Sequence, residues 1–246
     1  MKHYIAVATL LCSISPLAFA GDDGWLESYN RSMFDFNMTV DKYFMKPVAK
    51  GYRAITTQGM RNRVTSFVSN VNEPVSTLNH TLQGSFKKTL TSAARFAINS
   101  TLGLAGTFDV ADGWGLKKSE TGFDNTLAYY CLPDGPFIMM PFFGPFTIRS
   151  GIGYAADSIS TPIYWGALND KNYSAKITYG YAALNAVNSR ERGLDLLDDL
   201  QRNSVDFYST VRSAYLQNRQ NMTSICKSAN KTPSYDFDFD DEDFED

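Results

Sequence analysis

At 246 residues, 43% hydrophobic and 20% charged, the chain is too long for a peptide and too short for a multidomain machine, and it fits one globular domain. Its net charge of −3 hides an asymmetry, because the last twelve residues, Tyr235 to Asp246, hold eight carboxylates and no base, which leaves the remainder at +5. A tail of that density, with no compact Lys/Arg cluster to offset it, argues against a nucleic-acid reader.

Lys2 gives a positive start, Ile5 to Ala20 are sixteen uncharged positions, and Ala18-Phe19-Ala20 has the small-x-small pattern of a signal-peptidase site. Residues 1–20 therefore read as a secretory signal cut before Gly21. A spanning anchor would need about 20 apolar residues, and Pro16 and the small-residue end disfavour it. Cys12 follows Leu10-Leu11 inside the apolar run, so no acylated cysteine is evident. Two cysteines remain beyond the signal, Cys131 and Cys226, in a compartment that permits oxidation. A disulfide and two separate buried thiols stand as alternatives, since sequence does not fix their separation. His80 is the one histidine left after cleavage, and no G-x-S-x-G, H-E-x-x-H or glycine-rich phosphate loop occurs. The pattern is not that of an enzyme and calls for no metal or cofactor.

The first predicted helix runs from Tyr29 to Lys46. Tyr29, Met33, Phe36, Val40, Tyr43 and Phe44 share one side, and Phe34, Met38 and Met45 widen the apolar arc. Most of the circumference thus needs protein or lipid against it. Asn30, Asn37 and Asp41 cut the arc as a second polar line, either a seam facing a headgroup path or buried amides satisfied by neighbouring backbone. Pro47 is expected to end or kink this helix. Helical spacing returns at about 60–72, and Pro74 separates that stretch from a short helix ending at Gln83-Gly84. At 86–102, Phe86, Leu90, Ala93, Ala94, Ala97, Ile98 and Leu102 recur at three- and four-residue intervals. Gly103, Gly106, Gly113 and Gly115 then break regular structure, with Asp109 and Asp112 as turn residues.

From Thr126 to Ile148, twenty-three residues carry one charge, Asp134. Four prolines and two glycines prevent a spanning helix, yet Phe137, Ile138, Met139, Met140, Phe142, Phe143 and Phe146 keep the segment greasy. Backbone of this kind at membrane depth must be buried in protein or line a cavity; an apolar loop packed on a soluble core is the other reading. Helices are expected again at about Ile148 to Trp165, Ala175 to Leu200 and Ser204 to Asn221, the last with Phe207, Val211, Ala214 and Tyr215 as its apolar stripe and Arg212 and Arg219 elsewhere on its surface. Beyond Lys227 the acids and the absence of aliphatic residues predict a disordered tail, residues 227–246.

Several blocks in order carry a resemblance: Tyr29-Asn30-Arg31-Ser32-Met33-Phe34-Asp35-Phe36-Asn37 with Pro47-Val48-Ala49; Asn70, Glu73-Pro74, Asn79 and Leu82-Gln83-Gly84; Arg95-Phe96, Asn99-Ser100-Thr101, Gly103, Gly106 and Phe108-Asp109-Val110-Ala111; Gly135-Pro136, Pro141, Gly144-Pro145, Thr147 and Arg149. Over about 29–220 the chain resembles the MlaA/VacJ family of outer-membrane phospholipid-transport lipoproteins. The resemblance implies an all-α fold: a single compact ring-like helical domain, residues 21–226, with the Pro/Gly-rich apolar segment as a hairpin. It also implies a place in the periplasmic leaflet of a Gram-negative outer membrane and an amphipathic channel for misplaced phospholipids. Trimeric porins and a periplasmic lipid carrier, MlaC, are the implied partners, and no bond is made or broken.

A phospholipid path needs an apolar side for acyl chains and a polar side for the headgroup, because a bare buried phosphate is costly. The expected lining is Asp134, Gly135, Pro136, Phe137, Met139, Met140, Phe142, Phe143 and Phe146. Arg149 either meets the phosphate or forms an ion pair at the core edge. Asn30, Met33, Phe34, Phe36, Asn37 and Asp41 are expected to embed the first helix or form its polar seam. Three departures from the family pattern stand out. No lipobox cysteine sits at the cleavage site, which puts the acyl anchor in doubt; Cys131, Leu132 and Pro133 replace a glycine-rich stretch; Ser150 follows Arg149 where an acid is common. The missing lipobox keeps two other readings open, a soluble periplasmic lipid-binding protein and a porin-associated structural adaptor.

Overall fold

The computed structural model describes residues 24–164 and 171–229, so the signal at 1–20 and most of the acidic tail lie outside the described residues. The first helix, α1 (Gly24–Val40), passes through a single π-turn (Asp41–Met45) into α2 (Lys46–Ile55). Pro47 therefore neither ends nor breaks the helix. It sits in the first turn of α2, and the chain widens just before it, with the Lys46 N–H donating to the Asp41 carbonyl. That wider turn gives the ring room where a regular α-turn would clash.

Helix α3 (Gln58–Leu82) starts at Thr57, whose side chain accepts from Met60 N, and runs straight through Pro74 as one element. The two segments expected there are one because packing along α4 (Phe86–Thr101) offsets the hydrogen bond that proline cannot donate. Gly84, with φ of +70°, closes α3 in a Schellman turn: Ser85 N donates to His80 O and Gly84 N to Thr81 O. Gly106 is required for a different reason. Its φ is +89°, and a Cβ there would stand 2.3 Å from the Cβ of Asn70.

The α3–α4 pair is polar inside and apolar outside. On α4 the buried positions are Ser92, Arg95 and Asn99, whereas Phe86, Leu90 and Leu102 of the expected apolar stripe face outward; Phe86 is 75% exposed and Arg95 1%. On α3, Asn70, Glu73, Ser76, Asn79 and His80 are buried. Many of their polar atoms pair with one another and with loops, while Asn70 Oδ1, Glu73 Oε2, His80 Nδ1 and Ser92 Oγ have no hydrogen-bond partner. Arg95 donates to Glu73 (2.6 Å) and Asp109 (2.9 Å), Asn99 to Asp109 (3.0 Å), Asn70 to Ser100 (3.0 Å), and Thr126 to Asn79 (2.7 Å). Large apolar side chains such as Trp25, Tyr43, Phe44 and Ile55 are exposed on α1, the π-turn and α2 as well. A soluble domain keeps most such side chains inside; here exposed side chains such as Trp25, Tyr43 and Ile55 form an apolar rim.

After the short α5 (Val110–Gly113) and α6 (Phe123–Tyr129), the greasy segment folds as a β-hairpin, β1 (Phe137–Met140) and β2 (Gly144–Thr147). The strands are antiparallel, Phe137 opposite Thr147 and Met140 opposite Gly144, which leaves Pro141, Phe142 and Phe143 as the turn. Thr147 and Ser150 then form a capping box that starts α7 (Ile148–Ser160). The single helix expected from Ala175 to Leu200 is two, α8 (Lys171–Arg192) and α9 (Leu194–Asn203), divided at Gly193. Asp206 accepts from Ser209 N at the head of α10 (Phe207–Ala229).

These elements close a circuit: α1 contacts β1, β2 contacts α7, α7 packs on α6, α6 on α10, and α10, α9, α8 and α2 lead back to the first helix. The fold is helical and ring-like, with the two-stranded hairpin as its one sheet among the described residues. Its small apolar core, Phe34, Phe137, Met139 and Tyr208, lies where hairpin, α1 and α10 meet. No helix among the described residues is long and apolar enough to cross a membrane.

Candidate functional site

Within that circuit lies a cavity of about 510 Å³. Asn37, Met38 and Val40 of α1, Asp41, Phe44 and Met45 of the π-turn, and Phe142, Phe143 and Gly144 of the hairpin form part of its wall; Ala186 and Arg190 of α8, Leu197 and Gln201 of α9, and Phe207 of α10 complete it. Aromatic and thioether groups thus face a short polar stretch. Arg190 holds Asp41 with two hydrogen bonds, Nε at 2.5 Å and Nη2 at 2.8 Å, and the Asp41 carboxylate keeps the Arg190 guanidinium above its ordinary pKa. The strands of the hairpin border a second, apolar hollow of about 240 Å³ lined by Ile138, Met140, Phe143, Phe146 and Tyr154. Phe143 belongs to both, so the turn of the hairpin is a thin partition between them.

Asparagines hold that partition in place. Asn30 donates to Phe137 O (3.2 Å) and accepts from Met139 N (2.7 Å). Two helical turns on, Asn37 donates to Met140 O (2.9 Å) and accepts from Phe142 N (2.7 Å). The amides take the place of a neighbouring strand along the free edge of β1; Asn30 is buried, whereas Asn37 is half-buried and also borders the cavity. Phe142, with φ of +66°, points outward at the turn, and Phe36 meets it edge to face at 5.1 Å.

The base of the hairpin is fixed by charge. Arg149, 2% exposed, donates to Asp124 (2.9 Å) and Leu132 O (2.7 Å) and pairs with Asp134 at 2.9 Å. Arg219 of α10 bonds the same two carboxylates, with Nε 2.8 Å from Asp134. Helical spacing predicts Arg219 on the surface of its helix; in the structure it is buried. Arg149 follows the ion-pair alternative, and its partners lie on α6 and the following loop, not at position 150. Cys131 and Cys226 are joined as a disulfide with Cα atoms 5.2 Å apart, which ties the same loop to α10 a second time.

Of the expected lining, Phe142 and Phe143 reach the larger cavity and Met140, Phe143 and Phe146 the smaller one. Phe137 and Met139 are instead in the core with Phe34 and Met33. Asp134 belongs to the ion-pair cluster, Gly135 packs on Ile148, and Pro136 is half-buried between them. Asp41 reaches the cavity with Asn37, while Arg190, Gln201, Ala186 and Leu197 were not singled out. His80 is buried with Nε2 2.9 Å from Ser119 O, and it does not line either cavity.

The description "MlaA lipoprotein" belongs to a family model that matches residues 22–222. The chain belongs to the MlaA lipoprotein family. An MlaA relative from Escherichia coli, described as an intermembrane phospholipid transport system lipoprotein, is 34% identical over 220 residues, covering 87% of this chain and 84% of its own. A Rickettsia bellii protein is 37% identical over 243 residues, with 89% and 92% covered. A solved structure reported as "Structural basis for maintenance of bacterial outer membrane lipid asymmetry" superposes with a TM-score of 0.68 at 35% identity, over 80% of this chain and 98% of that one. MlaA-type architecture thus accounts for the ring. The disulfide and the pairing of Asp41 with Arg190 are features of this chain itself.

The ion-pair cluster gives this MlaA-family chain a testable acid limb. Burial alone would raise the Asp124 pKa, but Arg219 and Arg149 outweigh it and hold Asp124 below the ordinary carboxylate range. Arg95 does the same for Asp109 against its own burial. Both folded-state pKa values lie below the unfolded ones, so this stability is present above about pH 4 and is lost as pH falls through the folded values. Asp157 opposes them: burial raises its pKa, so its contribution is fullest at low pH and fades as pH rises. The melting temperature is expected to hold from pH 7 to about 4 and to drop below that. In Asp124→Asn the acid limb should be shallower, and an unchanged limb would exclude Asp124 as its source.

Proposed function

We propose that this chain is the outer-membrane component of an intermembrane phospholipid transport system. In this reading it takes phospholipids mislocalised in the outer leaflet through the amphipathic cavity and passes them to a periplasmic carrier, which maintains lipid asymmetry. The observation that carries the reading is the cavity itself, with Phe44, Phe142, Phe143 and Phe207 for acyl chains and the Asp41–Arg190 pair for a headgroup. Two kinds of support stand beside it: the names of the E. coli and Shigella flexneri relatives, and an apolar rim that fits one leaflet of a bilayer better than water. The rim favours membrane embedding over a soluble lipid binder. A trimeric porin and an MlaC-type carrier are the proposed partners, the first beside the rim and the second at the periplasmic mouth. No catalytic group is required, since a lipid changes place without any bond being broken.

Filling the cavity tests the route. Ala186 lines it with a small side chain on α8, so Ala186→Trp should block passage while the protein still fractionates with the outer membrane after a high-salt wash. Outer-leaflet phosphatidylethanolamine, read by an impermeant amine-reactive label in the native host, is expected to rise to the level of a strain lacking the protein. Wild-type labelling with the tryptophan in place would sink the cavity route. Recovery of the wild-type chain in the periplasmic supernatant would sink the embedded ring.

A further inference from the structure

The charge inside the cavity narrows the lipid, and the argument rests on the transport reading above. Asp41 and Arg190 are the only charged residues among those lining the cavity, and they neutralise one another. Lys46 of α2 and Asp198 of α9, paired at 2.7 Å, border the same region and also cancel. A headgroup entering the cavity therefore meets a fixed dipole and no net charge. The Arg190 side chain is 10% exposed. Its Nε and Nη2 are committed to Asp41, while Nη1 is buried and has no hydrogen-bond partner. A buried guanidinium nitrogen without an acceptor is costly, and a ligand oxygen that reached it would remove that cost.

We infer that the cavity selects phospholipids with zwitterionic headgroups, the phosphate oxygen accepting from Arg190 Nη1 and the headgroup ammonium meeting the Asp41 carboxylate. Both charges of such a headgroup find an opposite in a low-dielectric wall, and the sum stays at zero. A singly anionic headgroup would satisfy Arg190 but bring its negative charge against Asp41 with no compensating cation, and an uncompensated buried charge is penalised far more than a paired one. The remaining polar lining, Asn37 and Gln201, is uncharged and leaves this balance unaltered.

The experiment equilibrates the full chain with vesicles of equimolar phosphatidylethanolamine and phosphatidylglycerol, reisolates the protein, and measures the ratio of bound lipids by mass spectrometry. Wild type should hold phosphatidylethanolamine in about tenfold excess, the worth of one charge-assisted hydrogen bond. Asp41→Asn leaves Arg190 as a net cation and should shift the ratio about tenfold towards phosphatidylglycerol. Arg190→Gln leaves Asp41 as a net anion and should shift it the other way, so either variant suffices if the other fails to fold. A wild-type ratio equal to that of the vesicles, or a ratio that neither variant moves, overturns the headgroup inference while bound lipid still supports the transport reading. No bound lipid in the wild type overturns both.

Discussion

Arg95→Leu is expected to destabilise the protein by about 3–5 kcal/mol, a large share of the total stability of a domain of this size. Arg95 and Glu73 are both 2% exposed at their side chains, and the pair spans α3 and α4 at 2.6 Å. Arg95 also bonds Asp109 and the carbonyl of Leu116, so one guanidinium gathers a helix and two loops. Truncating it leaves Glu73 as a buried carboxylate with no cation, and the cost is chiefly that orphaned charge and not the lost attraction. The check is a thermal melt in detergent together with limited proteolysis of the α3–α4 hairpin. The double variant Arg95→Leu/Glu73→Leu should recover much of the loss, because two apolar groups of similar size replace a buried ion pair at little cost. A single variant that melts within a degree or two of wild type would show that the pair does not hold these helices together.

Removing the Cys131–Cys226 bond should cost about 4–5 kcal/mol by the chain-entropy argument, since the bridge closes a loop of 95 residues. The loss should be spatially uneven. The bridged loop carries Leu132 and Asp134, both bound by the buried arginines, so the charge cluster would still hold the base of the hairpin after reduction. Hydrogen exchange should therefore rise first along the end of α10 and around Cys131, with the Asn30 and Asn37 clamp on β1 protected until global unfolding. Comparison of Cys131→Ser/Cys226→Ser with the oxidised wild type measures both quantities. Equal denaturation midpoints for the two forms would mean that the bridge adds nothing to the charge cluster beside it.

Helical periodicity is a local property, and it located most of the helices. The stripe on α4 is legible as Phe86 and Leu90, and those residues do share an exposed face. Which way the face points was not legible, because periodicity is the same whether the apolar side meets a core or a lipid. Here the buried side is Ser92, Arg95 and Asn99, and the sign of the pattern was decided by partners on α3 and in the loop at Asp109. The two prolines mislead for a related reason. Pro47 and Pro74 each remove a helical donor, but a π-turn in one case and a helix packed alongside in the other absorb the loss.

By itself, then, the sequence determined the helical class, the family through its ordered blocks, the greasy Pro/Gly segment as something other than a spanning helix, and the seven-residue spacing that puts Asn30 and Asn37 on one line. Each of these follows from chemistry within a few residues of chain. Tertiary structure alone decided what those groups meet: Asn30 reaches a strand 107 residues away, Arg190 meets Asp41 across 149, and Cys131 meets Cys226 across 95. It also turned Arg219 inward and made Arg149 part of a cluster with two carboxylates. The physical reason is that a polar side chain is drawn on equal terms to water, lipid headgroup or a buried partner. Only the closure of the ring, which excludes solvent from some faces and leaves others to the bilayer, chooses among them.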